Sequence, residues 1–401
     1  MKMKKLLLMM AVTTMAIPSM AQQQLKSGLS LADMDQSARP GDDFFTYACG
    51  GWMKANPLPA AYSRYGSFDR LAENNTKRIN GILKELQENS YAEGTVERKL
   101  SDLYKMAVDT DRREKDGLSP VLPILKRLEA AKTTSQLFAI QKEMMPAGAP
   151  MFYGAGIGAD EMNATQNILG VNQGGLTLGQ KDYYLENDPA TTKIREAYKL
   201  HIVKMFRLFG FKTGAAQKKM QNVMKIEMAL AKVSRSNTQL RDPKANYNKM
   251  TLQEFQSKYP HLQLEQLMNA KGIDSKYLQT LVVGQPDFMA GAEKVIAGLS
   301  APAYRDWMEW RIINGAANLL NDEAAQASFD FYGKVMAGRK ENHPLWRRAT
   351  SQVEGVMGEA LGKIYTEKYF PASSKKRMTT LVENLRIALG ERIAAQTWMD
   401  D

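Results

Sequence analysis

The sequence predicts a mainly α protein, a multi-helix lobe with a few short strands, on three observations. Apolar residues recur at the helical i, i+3, i+4, i+7 spacing through most of the chain. Strand-like patterning is confined to residues 150–185, where glycines break short apolar runs. A hydrophobic fraction of 44% over 401 residues supplies a large core.

At the start, Lys2, Lys4 and Lys5 precede an apolar run from Leu6 to Ile17, then Pro18, Ser19, Met20 and Ala21. Positive charge, a short apolar core and small residues form the plan of a secretory signal, so residues 1–21 are read as a signal peptide cleaved after Ala21. The run falls short of the roughly 20 apolar residues of a stable membrane span; a retained anchor is the alternative. The expected location is exported, periplasmic or extracellular. Residues 22–39 follow as a short linker.

Residues 40–69 read as an ordered but irregular segment. Pro57 and Pro59 force extended backbone, and Gly50-Gly51 permit a tight turn. Helical stripes follow at Leu100, Leu103, Tyr104 and Ala107, at Ala197, Leu200 and Phe206, at Val353, Val356, Met357, Ala360, Leu361, Ile364 and Tyr365, and at Met378, Leu381, Val382 and Leu385. Each predicts one face turned to a core. The last stripe continues to Trp398, and the chain stops at Asp401 with no Gly or Pro to cap it; it is read as ending mid-architecture, with a frayed natural C-terminus as the alternative.

Charge argues against nucleic acid as a partner. The formal net charge of +11 falls to +8 without the signal lysines, and Lys and Arg are dispersed among Asp and Glu instead of clustered with aromatics on one face. The helical zinc-hydrolase motif of two histidines four apart with a glutamate between does not occur; His201, His261 and His343 are widely separated, and none precedes Glu. Cys49 has no neighbouring His, and no G-x-S-x-G elbow exists. Gly154, Gly156 and Gly158 lack dinucleotide-loop spacing and are read as strand or turn glycines. Glu227 falls among Met220, Val223, Met224, Leu230 and Ala231 on an apolar face, so it is expected to be buried and paired with an arginine such as Arg235 or Arg241.

Several segments in order carry a resemblance: Asp43-Phe44-Phe45-x-Tyr47-Ala48-Cys49-Gly50-Gly51-Trp52, Asn56-Pro57-Leu58-Pro59, Ser63-Arg64-Tyr65-Gly66-Ser67-Phe68-Asp69, Gln173-Gly174-Gly175-Leu176, Asp182-Tyr183-Tyr184-Leu185, Glu227 with Leu230-Ala231, Arg241-Asp242-Pro243 leading to Tyr247-Asn248-Lys249-Met250, and Trp398-Met399-Asp400. Together they resemble the N-terminal part of the neprilysin and endothelin-converting enzyme family of zinc metallopeptidases. The resemblance implies a two-lobed helical enzyme that encloses peptides and cuts them with zinc, whose ligands lie further along the family's chains.

On that reading residues 40–401 form the N-terminal helical domain, with residues 40–80 a candidate for packing on a missing C-terminal catalytic lobe. Zinc belongs to a full-length relative, and none is expected on this chain. Peptides are the expected substrates of the complete enzyme, with Arg64 and Asp69 as substrate-binding residues. The guanidinium would fork onto a substrate carboxylate, or alternatively only pair with Asp69. Structural roles fall to Glu227, Arg241 and Trp52, and the resemblance implies that Cys49 is a free, buried thiol. An exported, non-catalytic helical module binding peptides or proteins is the alternative. A portion of a larger enzyme should expose an apolar patch of more than a few hundred Å², whereas a free-standing binder should not.

Overall fold

A computed structural model of the chain describes residues 30–398 and divides after Pro59 into two units. The expected signal peptide, Met399 and Asp400 lie outside the described residues.

In the first unit a 3-10 turn, Leu31–Asp33, precedes helix α1 (Phe44–Ala55), whose N-cap Asp43 accepts the Thr46 N–H at 2.9 Å. The helix continues through Gly50-Gly51, which the sequence reads as permitting a tight turn. Those glycines serve close approach instead. A Cβ at Gly51 would lie 2.3 Å from the Ala32 carbonyl oxygen, and one at Gly50 would lie 2.6 Å from Asp35 Cβ. Residues 32–35, expected to be linker, therefore lie against α1, held by the Asp35 N–H on the Tyr47 carbonyl at 2.9 Å and by Lys54 on Asp35 at 2.7 Å. Gly51→Ala is expected to cost about 1–3 kcal/mol of local stability, because backbone stands in the way of the new methyl. Faster tryptic cleavage at Arg39 with an unchanged melt of the rest would show it; an unchanged cleavage rate would contradict the packing role.

The second unit runs α2 (Ser67–Glu88), α3 (Val96–Val108), α4 (Thr110–Asp116), α5 (Leu122–Ala130) and α6 (Thr134–Met144) into the strands β1 (Tyr153–Asp160) and β2 (Asn163–Gln173). Next come α7 (Asp182–Leu185), α8 (Pro189–Leu208), α9 (Thr213–Val233), β3 (Asn248–Thr251), α10 (Leu252–Lys258), α11 (Leu264–Ala270) and β4 (Thr280–Val283). The chain closes with α12 (Pro286–Ala297), α13 (Ala301–Ala316), α14 (Asp322–Ser328), a π-helix (Phe329–Met336), α15 (Leu345–Tyr369) and α16 (Ala372–Ala394). The glycine-rich stretch is the antiparallel hairpin β1–β2, as its broken apolar runs predict. It belongs to a sheet of order β1-β2-β4-β3, in which β2 and β4 are parallel and pair Leu169 with Leu281 and Val171 with Val283.

Two hydrophobic cores hold this unit. The larger surrounds α13, which is buried on more than one face and contributes Trp307, Met308, Trp310 and Ile313. Its buried Asp306 and Glu309 share the Lys219 ammonium at 2.7 and 2.6 Å, so the charges enter the core paired. The smaller core joins α2, α3 and α15 through Leu83, Leu86, Leu100, Tyr104, Val353 and Leu361. Buried Asn80 crosses it, donating to Tyr104 Oη at 2.6 Å and Thr350 Oγ1 at 3.1 Å.

Three sequence stripes are corrected. Val356 is 71% exposed although Val353, one turn before it, is buried; α15 breaks at the next residue, Met357 (φ −131°, ψ 33°), which resets the helical phase ahead of Leu361. Leu200 is 72% exposed although Phe206 on the same helix is buried. The stripe from Met378 faces no core, since α16 buries no residue at all.

Candidate functional site

The segment carrying Arg64 is fixed by distant chain. The Ala60 carbonyl accepts the N–H groups of Lys340 and Glu341 at 2.9 and 3.1 Å. Tyr62 and Tyr65 donate their hydroxyls to the two oxygens of Glu73, each at 2.8 Å. Arg347, at the start of α15, closes the cluster with a hydrogen bond to Tyr62 and an ion pair to Glu73 at 3.3 Å. Burial pushes the Glu73 carboxyl up, but the two tyrosine hydroxyls and Arg347 outweigh it and hold the group below its usual range.

On this frame Arg64 is exposed and makes no hydrogen bond or ion pair among the described residues. Asp69 does not hold it. As the third residue of α2, Asp69 accepts the Gly66 N–H at 2.8 Å and caps that helix. The two predicted substrate residues thus share a turn but form no pair, and the Arg64 guanidinium is open to an external carboxylate. The spacing of Asp69 and Glu73 on one helix face was visible in the sequence, but Arg347, 274 positions from Glu73, was not.

Glu227 is fully buried, as its position among apolar residues predicts. Its partners differ from the expected arginines. Thr177 donates to one carboxylate oxygen at 2.5 Å, and Tyr184 and Tyr198 donate to the other at 2.7 and 2.9 Å. Each tyrosine oxygen already receives an N–H, from Leu178 at 3.0 Å and from the Trp310 indole at 2.9 Å, which aims its own proton at Glu227. Arg235 is taken by Asp287 at 2.8 Å, and Arg241 is exposed with no ion pair among the described residues. Burial raises the Glu227 pKa, opposed by the three hydroxyls and by nearby Arg311. Such an acceptor knots α7, α8, α9 and the loop after β2 together and presents no open face to a substrate.

The histidines lie in three unrelated settings. His201 stacks on Phe331 at 5.0 Å beside Trp310 and Tyr332, and burial lowers its pKa to about 4. His261 Nδ1 meets Glu293, and His343 packs edge-on to Tyr62 at 5.2 Å. Among the described residues no group of three or more His, Cys, Asp and Glu side chains is placed to hold a metal ion. The residues present therefore do not fit a catalytic zinc. Cys49 is unpaired as expected but only half-buried, and Trp52 is half-buried in α1, its carbonyl accepting the Asn56 amide at 2.8 Å. Among the described residues no helix is long and apolar enough to cross a membrane.

A helical lobe with a short mixed sheet and a tyrosine-braced S-R-Y-G segment defines a class, and comparison with known proteins identifies it. Residues 40–401 match the N-terminal model of peptidase family M13, and the chain belongs to that family. It is 28% identical to endothelin-converting enzyme 1 of Bos taurus over 390 residues, covering 92% of this chain and 50% of that protein. The human enzyme gives 28% over 387 residues, with 92% and 49% covered. Among solved structures, the zinc metalloprotease Zmp1 of Mycobacterium tuberculosis superposes with a TM-score of 0.86 at 27% identity, over 93% of this chain and 56% of that one. PepO of Lactobacillus rhamnosis shares the fold, with a TM-score of 0.78 at 19% identity over 90% and 57%. The chain spans about half the length of the curated relatives it matches.

Proposed function

We propose that this chain is the N-terminal, cleft-capping and substrate-size-limiting portion of an exported zinc metalloendopeptidase, the zinc ligands being supplied by a C-terminal catalytic lobe outside these 401 residues. The observation that carries this reading is α16. Leu381, Leu385 and Leu389 are 50%, 62% and 60% exposed along it, and no residue of the helix is buried. A long helix with an uncovered apolar face marks an interface. Its occupant on this reading is the remaining half of the same family's chain, since the match covers half the length of the relatives. Phe68, 86% exposed at the start of α2, adds to the same argument. A free-standing binding module would carry polar residues there. The Lys-rich, apolar N-terminus supports export, and the name of Zmp1, a zinc metalloprotease, supports the activity.

Within the complete enzyme, Arg64 receives the carboxylate end of the peptide and Asp69 keeps the helix start that positions it. Arg64→Ala is expected to raise KM for substrates with a free C-terminus by about tenfold or more, the worth of one charge-assisted hydrogen bond, and to leave C-terminally amidated substrates unchanged. An unaltered KM for both would remove Arg64 from the substrate site.

The 401-residue chain purified alone is expected to hold no stoichiometric zinc and to hydrolyse no peptide. Stoichiometric zinc with peptide cleavage by this chain alone would overturn the proposal.

A further inference from the structure

A cavity of about 350 Å³ opens between the π-helix, the loop after it and the first turns of α15. Arg339, Asn342, His343, Arg347, Arg348 and Ser351 are among its polar lining, and no Asp or Glu is among the lining residues. Arg347 is committed to Glu73. Arg339 and Arg348 make no ion pair among the described residues, Asp322 acting on Arg348 only from a distance, and the Nε–H of each is buried without an acceptor. Arg339 lies over the Phe329 ring at 5.2 Å, which holds the guanidinium at the cavity wall.

Further positive charge lies close by. Arg113, itself paired with Asp322, acts on Arg348, whose guanidinium is pushed below its usual range by burial first and Arg113 second, with Asp322 opposing them. The N-terminus of the 25-residue α15 opens here, and its N-cap Pro344 provides no side-chain acceptor. Phe329 and Tyr332 add aromatic lining beside the arginines. Its shape is set at Gly333, where any Cβ would lie 2.1 Å from the Phe329 ring. Two guanidinium groups with no ion pair, set beside aromatic lining, suit a planar carboxylate on an organic stem. The space is many times the roughly 30 Å³ occupied by a water-sized ion.

We propose that this cavity binds a peptide carboxylate, from an acidic side chain or a free C-terminus, gripped by Arg339 and Arg348. That the ligand is a peptide rests on the peptidase reading; that it is an anion rests on the cavity alone.

Calorimetric titration of the 401-residue chain with acetyl-Ala-Glu-amide, acetyl-Ala-Ala, acetyl-Ala-Gln-amide and inorganic sulfate tests it. The first probe reports a side-chain carboxylate and the second a terminal one. At least one of them is expected to bind about tenfold or more tightly than the neutral Gln peptide, and Arg339→Gln and Arg348→Gln are each expected to weaken it by about tenfold. Ser351→Glu, which sets an internal carboxylate at the cavity, is expected to abolish binding and raise the melting temperature, so the test does not depend on the arginine variants folding. Equal affinity for the neutral peptide, sulfate binding as tight as either peptide, or a Ser351→Glu variant that neither blocks binding nor melts higher would overturn the assignment. Failure here with a heavy, zinc-bearing native protein removes this site only. Carboxylate binding by a protein whose native form is short and metal-free removes the peptidase reading and leaves the anion site.

Discussion

Glu227→Ala is expected to lower the unfolding free energy by about 3–5 kcal/mol, as three hydroxyl donors lose their acceptor and a cavity opens in the core. The donors are Thr177, Tyr184 and Tyr198, and the loss is felt by α7, α8, α9 and the loop after β2 together. Glu227→Gln, which keeps one acceptor oxygen, should cost less, about 1–3 kcal/mol at neutral pH, for the amide hydrogens it strands. Urea unfolding of the three proteins measures both values. A loss below about 1 kcal/mol for the alanine variant would mean that the carboxylate is not holding these helices.

The same residue sets a pH signature. Burial raises its folded-state pKa above the ordinary value of 4.5, so the folded state holds this proton more tightly than the unfolded chain does. Its contribution is fully present below the unfolded-state value and is lost as pH rises through the folded-state value. The stability of the native protein relative to Glu227→Gln should therefore fall as pH rises from 4.5. A relative stability that climbs over that interval would reverse the sign and exclude a raised pKa.

The second large effect concerns association. The chain alone is expected to self-associate through α16, and Leu381→Glu, Leu385→Glu and Leu389→Glu combined should return it to a monomer. Because α16 buries no residue, the triple variant should melt within about 2 °C of the parent, as surface substitutions do. Size-exclusion chromatography with light scattering, followed by a thermal melt, reads both outcomes. A monomeric parent chain would contradict self-association through α16, and a triple variant destabilised by more than about 1 kcal/mol would show that the helix packs within the fold.

Local pattern made much of this architecture legible. The stripe at Leu100 and Tyr104, the glycine-broken hairpin at 153–173 and the burial of Glu227 all follow from residues within one or two turns of each other. What escaped depends on distant chain. Gly51 reads as a turn residue until Ala32 is seen against it, and the stripe through Val353 and Leu361 reads as one regular face although the helix breaks between them at Met357. The Glu227 partners Tyr184 and Tyr198 lie 43 and 29 residues away, brought in by helix packing that no spacing rule encodes. The segment carrying Arg64 stood out by its motif. Its brace was not, because Arg347 reaches Glu73 only after α15 packs on α2. The stripe on α16 was correctly apolar, but periodicity alone does not say whether a face meets a core within the chain or a partner beyond it.

The most direct test of the central claim is the intact mass of the protein from its native source, with zinc determined on the same sample. The proposal predicts a species far heavier than 44.9 kDa carrying about one zinc per chain. A metal-free species near the mass of residues 22–401 would contradict it and leave an exported helical binding module in its place.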